Sequence, residues 1–212
     1  GGLRPEYNGA QDYDYIFRCT EMAGKIVHIP RVLYHWRVHS ASTADNPASK
    51  LYAYEAGKKA IEGNLARCGE EGTVTLRSDY GFYDVDYKLR GTPLVSILIP
   101  NKDQADTLRT CLESIKKKCM YPSYEILIIE NNSTEEATFS YYKELEAQGI
   151  RVLKYPKQGF NYSAINNFGV KEAKGEYLLF LNNDMEIITP DFMEKMVSNL
   201  QRPQIGAVGA KL

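Results

Sequence analysis

Residues 93–115 read PLVSILIPNKDQADTLRTCLESI, and this stretch decides the fold class. Leu94–Ile99 is a β-rich apolar run ended by Pro100, and a polar turn follows it. Leu108, Cys111, Leu112 and Ile115 then recur at helical spacing, which predicts a helix over 103–118. An apolar strand feeding directly into an amphipathic helix is the first half of a strand–helix–strand unit.

The pattern repeats outward from there. Tyr124–Ile129 reads as a second buried strand and Thr134–Gln148 as a helix stopped by Gly149. Ile150–Lys154 is a third strand and 161–173 a third helix, closed by Gly175. Tyr177–Leu181 is a fourth strand, 190–201 a helix begun by Pro190, and 205–210 a fifth strand. Strict alternation with strands apolar on both faces predicts an α/β fold, a mainly parallel sheet flanked by helices. Such sheets bind ligands beyond the carboxyl ends of their strands. That rule selects Pro100-Asn101-Lys102, Glu130-Asn131-Asn132-Ser133 and Asn182-Asn183-Asp184, three polar clusters each following an apolar strand.

The first part of the chain reads differently, as an α+β segment. A short helix over 11–23 places Ile16, Cys19 and Ala23 on one stripe. Lys25–Ile29 and Val32–His39 read as strands, and Asn46-Pro47 opens a helix running to about Cys68. Thr73–Arg77 and Phe82–Lys88 form a predicted hairpin around Asp79-Tyr80-Gly81.

The chain has 212 residues, 43% of them hydrophobic, with 26 Lys plus Arg against 27 Asp plus Glu for a net charge of −1. This balance gives no general drive toward nucleic acid or anionic membrane. The longest apolar runs fall far short of the roughly 20 residues that span a bilayer. Four scattered cysteines without a CxxC pair point to buried free thiols in a reducing, cytoplasmic setting. No G-x-G-x-x-G follows the first strand and no phosphate-binding G-x-x-x-x-G-K-[ST] loop occurs, which weighs against a dinucleotide-dependent dehydrogenase and a P-loop NTPase.

Several residues could carry chemistry, each beside a plainer role. Asp184 could hold a divalent cation against phosphate oxygens, or simply form a polar turn with Asn182 and Asn183. Asp12 and Asp14 open a helix, where a carboxylate could act as a general base or merely cap. In RVLYHWRVH, strand alternation places His35, Arg37 and His39 on one face, suited to a metal or a pyrophosphate, or to a solvated edge. Gly159-Phe160-Asn161 precedes a helix, where Asn161 could face an anion or cap the first turn.

At these residues the sequence resembles the family-2 glycosyltransferases, which have the Rossmann-like GT-A fold. Residues 94–212, through EILIIENNSTEE and GFNYSAINNFGVKEAKGEYLLFLNND, look like the nucleotide-sugar-binding half. Residues 1–45 look like the acceptor-side C-terminal portion of such a module, with 46–93 as a helix-plus-hairpin linker. The pieces stand in the reverse of family order, so each fold is incomplete. An excerpt from a tandem protein explains this, as does one permuted fold; Gly1-Gly2 with no Met favours a cut chain.

The resemblance implies roles residue by residue. Asp184 matches the metal-binding aspartate of the D-x-D motif, with Asn182 at its first position. Glu130, Asn131 and Asn132 fall on the nucleoside-contacting segment, and Pro100, Asn101 and Lys102 on the first nucleotide-contacting turn. Asn167 and Gly169 match the A-R-N-x-G segment, where Asn166 replaces the Arg. Asp12 would be the catalytic base, and His35, Arg37 and His39 would lie near the donor diphosphate. The implied activity is inverting sugar transfer from a nucleotide-sugar donor to a saccharide or lipid-linked saccharide acceptor. A Mn²⁺ or Mg²⁺ ion would assist in bacterial surface-polysaccharide synthesis at the inner face of the membrane, with membrane association only through the acceptor. The alternative is a non-catalytic nucleotide-sugar-binding fragment of a tandem transferase.

Overall fold

A computed structural model describes residues 2–35 and 50–210. The chain divides into two compact units, Gly1–Lys88 and Leu89–Leu212.

The C-terminal unit carries the sheet. Its strands are β3 (Val95–Asn101), β4 (Tyr124–Glu130), β5 (Arg151–Lys154) and β6 (Tyr177–Phe180). All pairings are parallel, in the order β5-β4-β3-β6. The helices are α3 (Ala105–Lys118), α4 (Glu136–Ala147), α5 (Tyr162–Glu172) and α6 (Phe192–Leu200). The apolar runs form strands because both faces are covered. Val95, Ile97, Ile99, Ile126 and Ile128 pack with Leu108 and Leu112 of α3, Leu145 of α4 and Val197 of α6. Leu98, Leu127 and Ile129 point the other way, onto Ile165 of α5. A Cβ at Gly169 would lie 2.4 Å from Ile129 Cδ1, so this glycine lets α5 approach the sheet. A Cβ at Gly175 would lie 2.6 Å from the Ser96 nitrogen, where backbone leaves no room to give.

The chain builds β3, β4 and β5 outward, then returns to place β6 on the other side of β3. That reversal is a topological switch point, where sheets of this kind take ligands beyond the carboxyl ends of their strands. The predicted fifth strand at 205–210 is not formed. Its residues join no ladder with a described strand, and Gly206 and Gly209 dilute its β preference.

The N-terminal unit holds α1 (Gln11–Met22), α2 (Leu51–Cys68) and the antiparallel hairpin β1 (Gly72–Leu76) with β2 (Tyr83–Tyr87). Ile61 and Leu65 of α2 and Val74 of β1 form its small core, against which Phe17 of α1 packs. The stripe expected on α1 is not its buried face: Ile16 and Cys19 are exposed, and the buried residue is Asp14. Lys25–Ile29 is irregular rather than a strand, as are residues 32–35 of the second predicted strand. An extended segment needs a neighbour for its N–H and C=O groups, and no described strand pairs with either. The rest of that second strand and the expected start of the helix at Pro47 lie outside the described residues; α2 begins at Leu51. All four cysteines are free, but only Cys111 is buried, while Cys19 and Cys68 are exposed. Among the described residues no helix is long and apolar enough to cross a membrane.

Candidate functional site

The three polar clusters meet at the carboxyl edge of the sheet. Asn101 ends β3 with its side chain buried and every polar atom of its amide engaged. Its Nδ2 donates to the Tyr142 hydroxyl at 2.7 Å and to the Asp103 carbonyl at 3.0 Å. Its Oδ1 accepts from Asn183 Nδ2 at 2.6 Å. One side chain thus ties the loop after β6 to α4 across the switch point. Its carbonyl accepts the Asn131 N–H at 2.9 Å, extending the tie to the loop after β4.

That second loop is folded on itself. Glu130 is buried and its Oε1 accepts the Ser133 N–H, closing a tight turn. Asn131 Oδ1 accepts from Asn132 Nδ2, and Asn132, at φ +59°, also donates to the Lys157 carbonyl. Asn tolerates the left-handed region better than other residues with a Cβ, which explains its place there. Burial pushes the Tyr142 phenol up, so it remains a neutral partner for Asn101 and Ser133.

The loop after β6 differs in exposure. Asn182 is exposed and its Oδ1 accepts from the Tyr162 hydroxyl at 3.3 Å, which joins α5 to the same edge. Asp184 is exposed, and among the described residues no hydrogen bond or ion pair engages its carboxylate. No group of three or more His, Cys, Asp or Glu residues that could cage a metal occurs among the described residues. One free carboxylate does fit a hard cation completed by phosphate oxygens and water, the usual habit of Mg²⁺. Beneath this loop the Cys111 Sγ lies 3.7 Å from the Asn182 carbonyl, and burial pushes its thiol up to about 11. It is inert packing, not a nucleophile.

The remaining residues read from the sequence divide clearly. Pro100 and the exposed Lys102 flank Asn101 at the carboxyl end of β3. Asn161 caps α5, its Oδ1 accepting the Ala164 N–H at 3.0 Å. Asn167 lies on the exposed side of α5, whereas Asn166 is buried with its Nδ2 on the Tyr162 carbonyl and its Oδ1 without a partner among the described residues. Asp12 and His35 belong to the N-terminal unit and are exposed; Arg37 and His39 lie outside the described residues. Asp12 Oδ1 accepts the adjacent Tyr13 N–H.

Asp103, Tyr142 and Tyr162 have structural parts in this edge that sequence reasoning missed. Asp103 carried a signal, standing next to Asn101-Lys102 in the turn after β3. The two tyrosines sit within helices and carried none.

Residues 96–211 match the family described as Glycosyl transferase family 2. The chain is 44% identical over 212 residues to an O-antigen biosynthesis protein of Myxococcus xanthus, covering all of this chain and 16% of that protein. It is 41% identical over 217 residues to an uncharacterized protein of Sinorhizobium fredii, covering 100% of this chain and 24% of the relative. The chain therefore spans under a quarter of the length of these curated relatives. A mannosyltransferase of Pyrobaculum calidifontis, solved with GDP-Man and Mn²⁺, aligns over 75% of this chain and 44% of its own at 17% identity and a TM-score of 0.48.

Proposed function

The chain belongs to glycosyl transferase family 2, and from that premise we propose that it serves inverting transfer of a sugar from a nucleotide-sugar donor to a saccharide acceptor in bacterial surface-polysaccharide synthesis. The observation that carries this reading is the Asn101–Asn183 hydrogen bond, which joins the end of β3 to the loop after β6 at the switch point, beside an Asp184 unengaged among the described residues. The O-antigen role of the Myxococcus xanthus relative supports the polysaccharide setting.

In this mechanism the loop after β4 and the turn at Pro100, Asn101 and Lys102 hold the nucleoside. Lys102 faces the diphosphate as an exposed cation. Asp184 would hold a divalent ion, which when bound offsets charge on the leaving nucleoside diphosphate. The family resemblance gives Asp12, in the N-terminal unit, the role of general base toward an acceptor hydroxyl, and its carboxylate is exposed. Asn161 caps α5 through its Oδ1 and so holds the first turn of that helix for its proposed place in donor binding.

A second reading, a donor-binding fragment without transfer of its own, is favoured by one fact. Asp12 and Asp184 belong to different compact units. Calorimetric titration of nucleoside diphosphates with Mn²⁺ tests the donor site. Asp184→Ala is expected to weaken metal-dependent binding by about tenfold or more, the loss of one charge-assisted contact. Unchanged affinity would overturn the assignment. Transfer to a saccharide acceptor that disappears in Asp12→Asn separates the catalytic reading from the fragment.

A further inference from the structure

Asp103 and Gln104 are consecutive non-glycine residues in the left-handed region, at φ +54° and +57°. Such a pair is unfavourable locally and persists only where surrounding contacts over-determine it. Here the contacts are reciprocal between the loops after β3 and β4. The Asp103 N–H donates to Ser133 Oγ at 2.9 Å. Asp103 Oδ1 accepts the N–H groups of Thr134 at 2.7 Å and Glu135 at 2.9 Å, the last two residues of the loop before α4. The Gln104 N–H donates back to Glu135 Oε2 at 3.2 Å, and Asn101 Nδ2 holds the Asp103 carbonyl.

We propose that Asp103 is a positioning residue that clasps these two loops into the shape that receives the nucleotide. The inference rests on the donor-site reading above. Lys102 lies between buried Asn101 and clasped Asp103, so its backbone is fixed on both sides. Glu130, Asn131 and Asn132 are fixed in turn, because Ser133 is held by Asp103 on one side and by Glu130 on the other. A crevice ordered before binding loses less conformational freedom when the ligand arrives. The N–H groups of Glu135 and then Thr134 hold the Asp103 carboxyl below the usual carboxylate range, because hydrogen bonds to a carboxylate favour its ionised form.

The test uses the whole chain and two readouts. Amide hydrogen exchange at Gln104, Thr134 and Glu135 reports the clasp itself. Calorimetry with UDP, GDP, CDP, ADP and dTDP, each with Mn²⁺, reports its consequence. Slow exchange is expected in the wild type and fast exchange in Asp103→Ala, with nucleotide binding weaker by about tenfold. Asp103→Asn keeps an acceptor oxygen and should restore most of the binding. Ser133→Ala cuts the same clasp from the opposite loop and should weaken binding non-additively with Asp103→Ala. Fast exchange in the wild type, or equal affinity in Asp103→Ala and wild type, overturns the clasp. Slow exchange in a chain that binds none of the five nucleotides overturns the donor reading instead, and the positioning role with it.

Discussion

The two units of this chain are held by different physics. In the C-terminal unit a parallel sheet buries Ile, Leu and Val on both faces, between α3, α4 and α6 on one side and α5 on the other. Among the described residues of the N-terminal unit the apolar core cluster is three buried side chains, and charge does much of the rest. Asp14 of α1 is completely buried and both its oxygens are taken, by Arg4 and by Arg18. Arg18 also donates to the Gly2 carbonyl, so one carboxylate fastens the first residues to α1. Glu21 repeats the device between α1 and α2, accepting from Arg67 through both oxygens and from Asn64. Where apolar burial is plentiful, the ends of strands are free to carry polar loops; where it is scarce, arginine–carboxylate pairs fix the helices.

The largest expected effects come from cutting each unit at its own support. Ile97→Ala removes a fully buried side chain from the central strand and should cost about 2–5 kcal/mol, read from denaturant midpoints. Exchange protection should fall across β3 and β4. Asp14→Ala leaves two arginines facing each other across a buried gap. It should cost about 2–3 kcal/mol in the N-terminal unit, less than the full value for a buried pair because both arginines are partly exposed. A loss of protection in the sheet rather than in α1 and α2 would break the contrast between the units.

Acid should separate the units more gently. Arg4 first, and then Arg18, hydrogen-bond the Asp14 carboxylate and hold it below the usual range. Arg67, and then Asn64, do the same for Glu21. A carboxyl depressed in the folded state contributes stability that is fully present above its unfolded value, roughly pH 4, and is lost as pH falls through the folded value. Exchange protection followed from pH 5 downward should therefore fade in α1 and α2 before it fades in the sheet. A sheet that loosens first would show that the N-terminal unit does not depend on its ion pairs. Thiol labelling gives a still smaller contrast that needs no mutation. Cys19 and Cys68 should react readily, and Cys111, buried under the Asn182 carbonyl with its thiol at about 11, should lag far behind.

The sheet was legible in the sequence because its signal is local. Each run from Leu94 to Leu181 is apolar, short and followed by a helix, and a parallel strand buried on both faces requires nothing more. The predicted strands at 25–29 and 205–210 carry similar residues, but a strand is a relation between segments and no described ladder includes them. Asp12 and Asp14 are two residues apart and looked alike. What separates them is Arg4, ten residues earlier, a partner that no local spacing reveals. The three polar clusters were legible through their place after strands. The clasp at Asp103 was not, because it depends on left-handed backbone and on donors thirty residues away.

Asn161 gives the smallest effect and the sharpest division between local and long-range support. Of the described α-helices, α5 is the one whose own N-cap side chain closes its first turn. The loop entering α4 is instead held by Asp103 from another loop, and α1 is fastened by arginines. Asn161→Ala should therefore cost about 1 kcal/mol, seen as faster exchange at Ala164 and Ile165 alone. Asn161→Asp should restore it, since a carboxylate at a helix N-terminus accepts the same N–H and suits the dipole. A negative charge facing a donor diphosphate would do the opposite and weaken nucleotide binding several-fold. Calorimetry on Asn161→Asp thus sets capping against phosphate contact in one measurement. Equal or tighter nucleotide affinity assigns Asn161 to α5 alone, and weaker affinity at unchanged stability places it beside the diphosphate.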